Sequence, residues 1–371
     1  MAATIWHLKI TMTDSTDLRA SWRDFCKKLE ALGDFVTHKS FAEDPIDQAE
    51  GYRYLTRLLR VALEMHMENA DTDFPHFYPA SHATAKIGAD NPDNIYMNAS
   101  ISGARRYRVW GKRNTVPVLS IATKANRYAV DGTMASTGEI DSADFVLEPD
   151  GSFEIIVSPT KEGKNWLPIA ADSSMMLVRQ TFLDRPSEIA AEVHIEALDA
   201  PRATPMPFST TQFSQSIART AAFVEGTVKT FAHWTDMLKA EQFNTLATTD
   251  QTMFQRAGGD PTIFYLHGYW KLAADEALVI DTKIPECAFW NFQCDNVWFE
   301  SLDYRHHRIH VNGGSAKLNA DGSVTIILAA RDPGYGNWID TAGHQHGTML
   351  LRWTRAKEHP VPTTKLVKLD G

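Results

Sequence analysis

The chain has 371 residues and a formal net charge of −9, with an isoelectric point near 5.9. That length exceeds what one small core can bury, so two domains or two fused lobes are expected. The acidic balance argues against nucleic acid or an anionic membrane surface as a main partner, since both reward a basic surface.

Residues 14–33 read as a helix capped by Asp14 or Ser15, with Leu18, Trp22, Phe25 or Cys26, Leu29 and Leu32 at helical spacing. Residues 46–69 read as a second helix, its apolar stripe formed by Tyr52, Leu55, Leu58, Leu59, Ala62 and Met65 or His66. The run from Asp71 to Pro79 breaks it. From about residue 94 the apolar period falls to two. Tyr107–Gly111, Val116–Thr123, Phe153–Val157, Met175–Phe182 and Ile189–Ala197 read as strands, with Asp-Gly turns at 131–132 and 150–151. Strands with no helices between them indicate an antiparallel sandwich or barrel, not a parallel sheet. Residues 211–247 return to helical spacing and read as two helices, one striped by Phe213, Ile217, Ala221 and Val224, the other by Phe231, Trp234, Leu238 and Phe243. From Pro261 to Lys368 the strand pattern resumes. The expected fold is therefore α+β, with two related, mainly antiparallel β lobes, sandwich or jelly-roll-like, each preceded by helices. The expected boundaries are a helical region at 1–90, a β lobe at 91–205, a helical segment at 206–258 and a second β lobe at 259–371.

An internal repeat supports this plan. Residues 150–182 and 321–354 share one order: Asp-Gly-Ser, an apolar run, a Gly-containing loop, Asn-Trp, a connector, and an apolar strand carrying one Arg. Asp150 matches Asp321, Trp166 matches Trp338 and Arg179 matches Arg352, at separations of 171, 172 and 173 residues. Repeats of this length imply duplication.

Tyr52-Arg-Tyr-Leu-Thr-Arg-Leu-Leu-Arg, Asn91-Pro-Asp-Asn-Ile-Tyr, Tyr107-Arg-Val-Trp-Gly, Thr115-Val-Pro-Val-Leu-Ser, Asn165-Trp-Leu-Pro and Asn319-Ala-Asp-Gly-Ser-Val-Thr-Ile follow one another along the chain. This succession resembles the bacterial DUF1214 family, often fused to or grouped with DUF1254, over most of residues 46–355. The resemblance implies a mainly antiparallel β architecture with helical additions, and it attaches no general activity. The gene surroundings of such members lean toward a small apolar or steroid-like substrate. The second copy departs from the family pattern: Asn337-Trp-Ile-Asp puts Asp340 where the first copy has proline, and His344 and His346 follow.

That departure draws attention to the histidines. Of fourteen in the chain, His306, His307, His310, His344 and His346 fall within residues 300–350. If Asp303–Val311 is a strand, Tyr304, His306, Arg308 and His310 share one face. The expected catalytic set is His306, His310, Asp340, His344 and His346, with Asp340 orienting a ring as general acid or base. Tyr304 and Arg308 are candidates to stabilise an oxyanion. The same histidines suit a divalent metal through His310, His344 and His346, with Asp340 or Glu300 as an oxygen ligand, although no cofactor is the default expectation. There is no Gly-x-Ser-x-Gly elbow and no Gly-rich nucleotide cradle.

Arg179 and Arg352, inside apolar strands, either bond the Asn-Trp loop or grip a substrate carboxylate. Aromatic residues of the second lobe occupy both strand faces, so the outer face covers helices, a partner subunit or an apolar pocket. The reading places an aromatic-walled pocket in the C-terminal lobe, with Trp290, Trp298, Trp338 and Arg352 as substrate-binding residues. The expected function is a hydrolase or lyase acting on a small apolar molecule, a hydrophobic acid or a steroid-like compound. The alternatives are a carrier without catalysis or an oligomeric scaffold. The three cysteines, Cys26, Cys287 and Cys294, form no Cys-x-x-Cys pair and suggest a reducing compartment. With no apolar h-region at the N-terminus and no apolar stretch of about 18 residues, a cytoplasmic protein without a membrane span is expected.

Overall fold

The computed structural model describes residues 17–369. Two helices come first: α1 (Leu18–Thr37), capped by Asp17, and α2 (Pro45–Leu63), which runs on into a π turn at Glu64–Glu68. Asp44 caps α2 in a capping box with Asp47, and Pro45 occupies the first helical turn. Asp14 and Ser15, the expected caps of α1, lie outside the described residues.

The first lobe contains β1 (Tyr78–Pro79), β2 (Asn94–Ser100), β3 (Tyr107–Lys112), β4 (Val118–Arg127), the single turn α3 (Tyr128–Asp131), β5 (Thr133–Asp141), β6 (Ser152–Ser158), β7 (Trp166–Pro168), β8 (Met175–Thr181) and β9 (Glu192–Ala197). Then come α4 (Thr210–Glu241), β10 (Ala247–Thr248) and α5 (Gln251–Arg256). The second lobe contains β11 (Ile263–Lys271), β12 (Glu276–Thr282), β13 (Phe289–Cys294), β14 (His310–Asn312), β15 (Val324–Ala329), β16 (Asn337–Asp340), β17 (His346–Thr354) and β18 (Thr363–Lys368).

The sheets repeat strand for strand. In the first lobe, sheet β1-β2-β8-β4-β5 packs on β7-β6-β3-β9; in the second, β10-β11-β17-β13-β14 packs on β16-β15-β12-β18. Every pairing is antiparallel except β6 with β7 and β15 with β16. The fold is thus a mixed α+β arrangement of two duplicated sandwiches. The sequence repeat is their scaffolding. Asp150 and Asp321 each accept from the N–H and hydroxyl of the serine two residues on, and Gly151 and Gly322 both adopt a φ of 81°. The Asn165 and Asn337 amides tie the preceding loops to β6 and β15, while Trp166 and Trp338 donate to the carbonyls of Ser158 and Ala329.

Each sandwich has its own core, built in the first lobe around Val109, Ile121, Ile155 and Val178 and in the second around Trp270, Phe292, Ile326 and Trp353. A third core lies between the lobes, where α2 and α4 cover the outer faces of both five-stranded sheets. Alternation along β8 sends Met176 and Val178 into the sandwich and Met175 and Leu177 toward the helices. Along β17 it sends Met349, Leu351 and Trp353 inward and Leu350 toward the helices. A strand buried on both faces reads as a continuous apolar run.

Two sequence expectations change here. Residues 211–247 form one helix, α4, followed by a loop, not two helices. Gly226, near its middle, is no breaker: a Cβ there would sit 1.8 Å from the carbonyl oxygen of Tyr128, so glycine lets α3 approach the helix backbone. Residues 303–309 form a turn, with strand geometry only at His310–Asn312. Asp303 captures the backbone N–H of Arg305, and its carbonyl accepts from His306 and His307, which offers the chain a local alternative to sheet bonds.

Candidate functional site

The expected histidine set does not converge in the structure. Because 303–309 is a turn, Tyr304, His306, Arg308 and His310 share no strand face. His306 and Arg308 are exposed. Tyr304 lies beneath Lys86, whose Nζ is 4.7 Å from the ring centre. Asp340 bonds His307 at 2.7 Å, not His344 or His346. His310 reaches Asp93 at 3.1 Å in the loop before β2.

His344 and His346 turn to α2. His344 Nε2 is 2.9 Å from Glu50, and its Nδ1 is 3.1 Å from the carbonyl of Thr341. Burial opposes charge on His344, but the hydrogen bond and charge of Glu50 outweigh it and raise the imidazole above its ordinary value. Buried His346 sits between Asp47 at 2.8 Å and the Tyr269 hydroxyl at 2.5 Å. Among the described residues the group with metal-ligand spacing is Asp44, Asp47 and His346. One oxygen of each carboxylate, Asp44 Oδ1 and Asp47 Oδ2, accepts backbone N–H groups at the start of α2. His310, His344 and His346 do not share a site.

The aromatic candidates are dispersed too. Trp290 packs in the second sandwich beside Trp353. Trp298 is buried against Phe41 and donates to the carbonyl of Asp47. Trp338 braces β16 against β15. The outer aromatic face of the second lobe is covered by α4 and by a cavity, with Trp234 and Phe231 edge-on or stacked against Phe254 and Phe299.

That cavity lies between the lobes, not within the C-terminal one as expected, and encloses about 150 Å³. Its walls include Met175 and Leu177 of β8, Phe223, Phe231 and Trp234 of α4, and Leu350 of β17. Arg352 is the member of the expected site that borders it, and Arg179 joins it from the other lobe. Five buried polar atoms of lining residues have no hydrogen-bond partner: Asn94 Oδ1, Asn98 Oδ1, Arg179 Nη1, His267 Nδ1 and Thr354 Oγ1. Buried polar groups are nearly always satisfied, by protein or by ordered water, and small-molecule pockets combine apolar walls with a few such groups. His267, its ring tilted against that of Phe254 with centroids 4.3 Å apart, is held at a pKa of about 3, first by burial and then by the charge of Arg352, and is therefore neutral.

Neither arginine bonds its Asn-Trp loop. Each reaches across to the other lobe. Arg179 donates to the carbonyl of Gly258, and its Nη1 lies 3.6 Å from Asp260. Arg352 donates to the carbonyl of Ala89 and to the side chains of Gln293 and Asn291. The acceptors are equivalent. Asn91-Pro-x-x-x-Tyr96 and Asp260-Pro-x-x-x-Tyr265 form a second internal repeat. Tyr96 is the cross-strand partner of Arg179, and Tyr265 that of Arg352. Both tyrosine hydroxyls accept the backbone N–H of the Asx residue that opens their own motif. Gly258 and Ala89 each stand two residues before that Asx, both with positive φ, 107° and 53°. For Ala89 that left-handed backbone costs about 1 kcal/mol. This short motif was the available sequence signal for the shared site, and the Asn-for-Asp exchange hides it from an identity search.

The fold and site define a duplicated, two-lobe β protein with a cavity on its pseudo-two-fold interface. The profile described as "Protein of unknown function (DUF1214)" matches twice, at residues 96–183 and 272–358, once per lobe. The chain belongs to this family. The crystal structure of an uncharacterised protein from Burkholderia cenocepacia is 48% identical, with a TM-score of 0.93, over 96% of this chain and 99% of that one. A protein from Vibrio parahaemolyticus is 12% identical, with a TM-score of 0.48, over 93% of this chain and 99% of that one. No curated protein matches.

Proposed function

We propose that this protein binds a small, predominantly apolar molecule in the cavity between its lobes. The observation that carries the reading is a wall of Met, Leu and aromatic side chains that also carries polar atoms without a hydrogen-bond partner, on Asn94, Asn98, His267 and Thr354. Apolar walls supply affinity through area removed from water, and a few convergent polar groups fix orientation. The volume of about 150 Å³ is that of a cavity accepting one benzene ring, which favours a single-ring or short-chain compound over a steroid. Binding fits better than turnover at this cavity: His267, with its pKa of about 3, is a poor general base at neutral pH. The three free cysteines fit a reducing setting such as the cytoplasm, and no described helix is long and apolar enough to cross a membrane.

Titration calorimetry with toluene, phenylacetamide and phenylacetate tests the reading. One-to-one binding with a negative heat-capacity change is expected, lost when Met175→Trp fills the cavity. Absence of binding by all three contradicts it.

One observation favours the hydrolase or lyase reading instead: the His344–Glu50 pair borders a separate polar cavity of about 160 Å³, also lined by Arg53, Arg57 and Lys86. Turnover of a hydrophobic ester or hydroxy acid that disappears in His344→Ala would support it; turnover unaffected by that change would sink it.

A further inference from the structure

The duplication supplies an internal control for the two buried arginines. In the first half of the pair, Arg179 faces Asp260, whose carboxylate also accepts from Ser120 and Thr262. Burial alone would raise Asp260, but the charge of Arg179 and the Thr262 bonds hold it below the usual carboxylate range. Arg179 therefore has a counter-ion. In the second half, the position of Asp260 is taken by Asn91, and that of Ser120 by Asn291. The carboxylate has become an amide.

Arg352 is thus a guanidinium 5% exposed whose partners are all neutral: two side-chain amide oxygens and one backbone carbonyl. Among the described residues no carboxylate lies within ion-pair distance of it. Asp93 and Asp295 are each one amide away, behind Asn291 and Gln293. Asp90, the carboxylate among the cavity-lining residues, turns to the N–H and hydroxyl of Ser301. A buried cation without an anion is strongly unfavourable, and this one borders a cavity in which Asn94, Asn98, His267 and Thr354 carry polar atoms without a hydrogen-bond partner.

We infer that Arg352 is the anion-receiving group of this cavity, and that its ligand is a small apolar carboxylic acid whose carboxylate, reaching Arg352 from the cavity side, supplies the counter-charge that Asp260 supplies to Arg179. The inference rests on the cavity-binding reading above and adds the charge and orientation of the ligand. Guanidinium and carboxylate pair in a planar, two-bond geometry, which sets the acid's ring or chain toward the apolar walls.

Asn91→Asp tests it. The bonds that the Asn91 side chain makes are all accepted by its Oδ1, from Asn291 and from the Asp93 N–H, so aspartate preserves them while restoring the missing counter-ion. Calorimetry at pH 7.5 compares phenylacetate with phenylacetamide, which share a ring and differ in charge. Wild type should bind the acid about 10-fold more tightly than the amide, the margin that a hydrogen bond to a charged partner has over a neutral one. Asn91→Asp should weaken the acid at least ~10-fold and leave the amide within ~3-fold. Arg352→Gln, checked for a cooperative melt, should show the same split. Equal affinity for acid and amide in wild type, or equal weakening of both in Asn91→Asp, overturns the anion assignment while the cavity reading stands. Failure of both ligands to bind while toluene binds also overturns the anion assignment alone, and failure of toluene as well overturns the two together.

Discussion

Replacing Asp295 with asparagine should stabilise the protein at pH 8 and hardly change it at pH 5. Asp295 is fully buried at the end of β13, and burial pushes its carboxyl up to about 7 from an ordinary 3.8. A raised carboxyl pKa means that the folded state holds the proton more tightly than the unfolded one. Its contribution is present below the unfolded value and lost as pH rises through the folded value. Three units at 1.36 kcal/mol each give a loss of about 4 kcal/mol between pH 4 and pH 8. Asparagine carries no charge and still accepts from Gln293 through Oδ1. Its amide N–H₂ would occupy the place of Oδ2, which has no partner, and an unsatisfied donor there costs roughly 1–3 kcal/mol. The net expectation is a gain of about 2 kcal/mol at pH 8. At pH 5 the folded carboxyl is protonated while the unfolded one is ionised, so about 1.6 kcal/mol of the loss has already occurred; set against the same roughly 1–3 kcal/mol for the asparagine donor, the two proteins should agree within about 1 kcal/mol. Urea unfolding at both pH values, with linear extrapolation, reads the difference. A variant no more stable than wild type at pH 8 would refute the reasoning.

Other outcomes follow from the same structure. Glu50→Gln removes the charge that raises His344. The stabilisation from a raised imidazole is present below pH 6.5 and lost as pH climbs through the folded value. The deficit of the variant should therefore be roughly 1–3 kcal/mol at pH 6 and shrink by pH 8.5; a deficit constant across that range would exclude the pair as its source. Gly226→Ala adds a Cβ 1.8 Å from the Tyr128 carbonyl. Overpacking of about 1–3 kcal/mol or more should exceed the gain of nearly 1 kcal/mol in helix propensity, so a higher melting temperature in this variant would contradict the close approach of α3 and α4.

The duplication, the mainly antiparallel β lobes and the helices before each lobe were legible because the Asp-Gly-Ser turn and the Asn-Trp brace are local devices. Each needs particular residues at fixed spacing, and both copies retain them. The single helix α4 was harder to read, because Gly226 serves a tertiary approach and not a break. The turn at Asp303–Ile309 was misread as a strand because alternating polar residues mimic a period of two, while the Asx bond that decides the geometry leaves no periodic trace.

Site prediction from the sequence went furthest astray where chemistry depends on distant partners. Asp47 and Glu50 on α2 take His346 and His344, nearly three hundred residues away, and nothing near either histidine announces this. Arg352 was singled out by its repetition at 179. What its repetition could not reveal is that each arginine crosses to the opposite lobe. The cue for that lay in Asn91 and Asp260, two positions whose difference matters only once the lobes are docked.

The most direct measurement is a crystal structure with 4-bromophenylacetate, using the anomalous signal of bromine to locate the ligand. The expected result is one bromine peak between the lobes among Phe223, Phe231 and Trp234, with the carboxylate on Arg352. Full ligand occupancy elsewhere, with the interlobe cavity unchanged, would contradict the assignment.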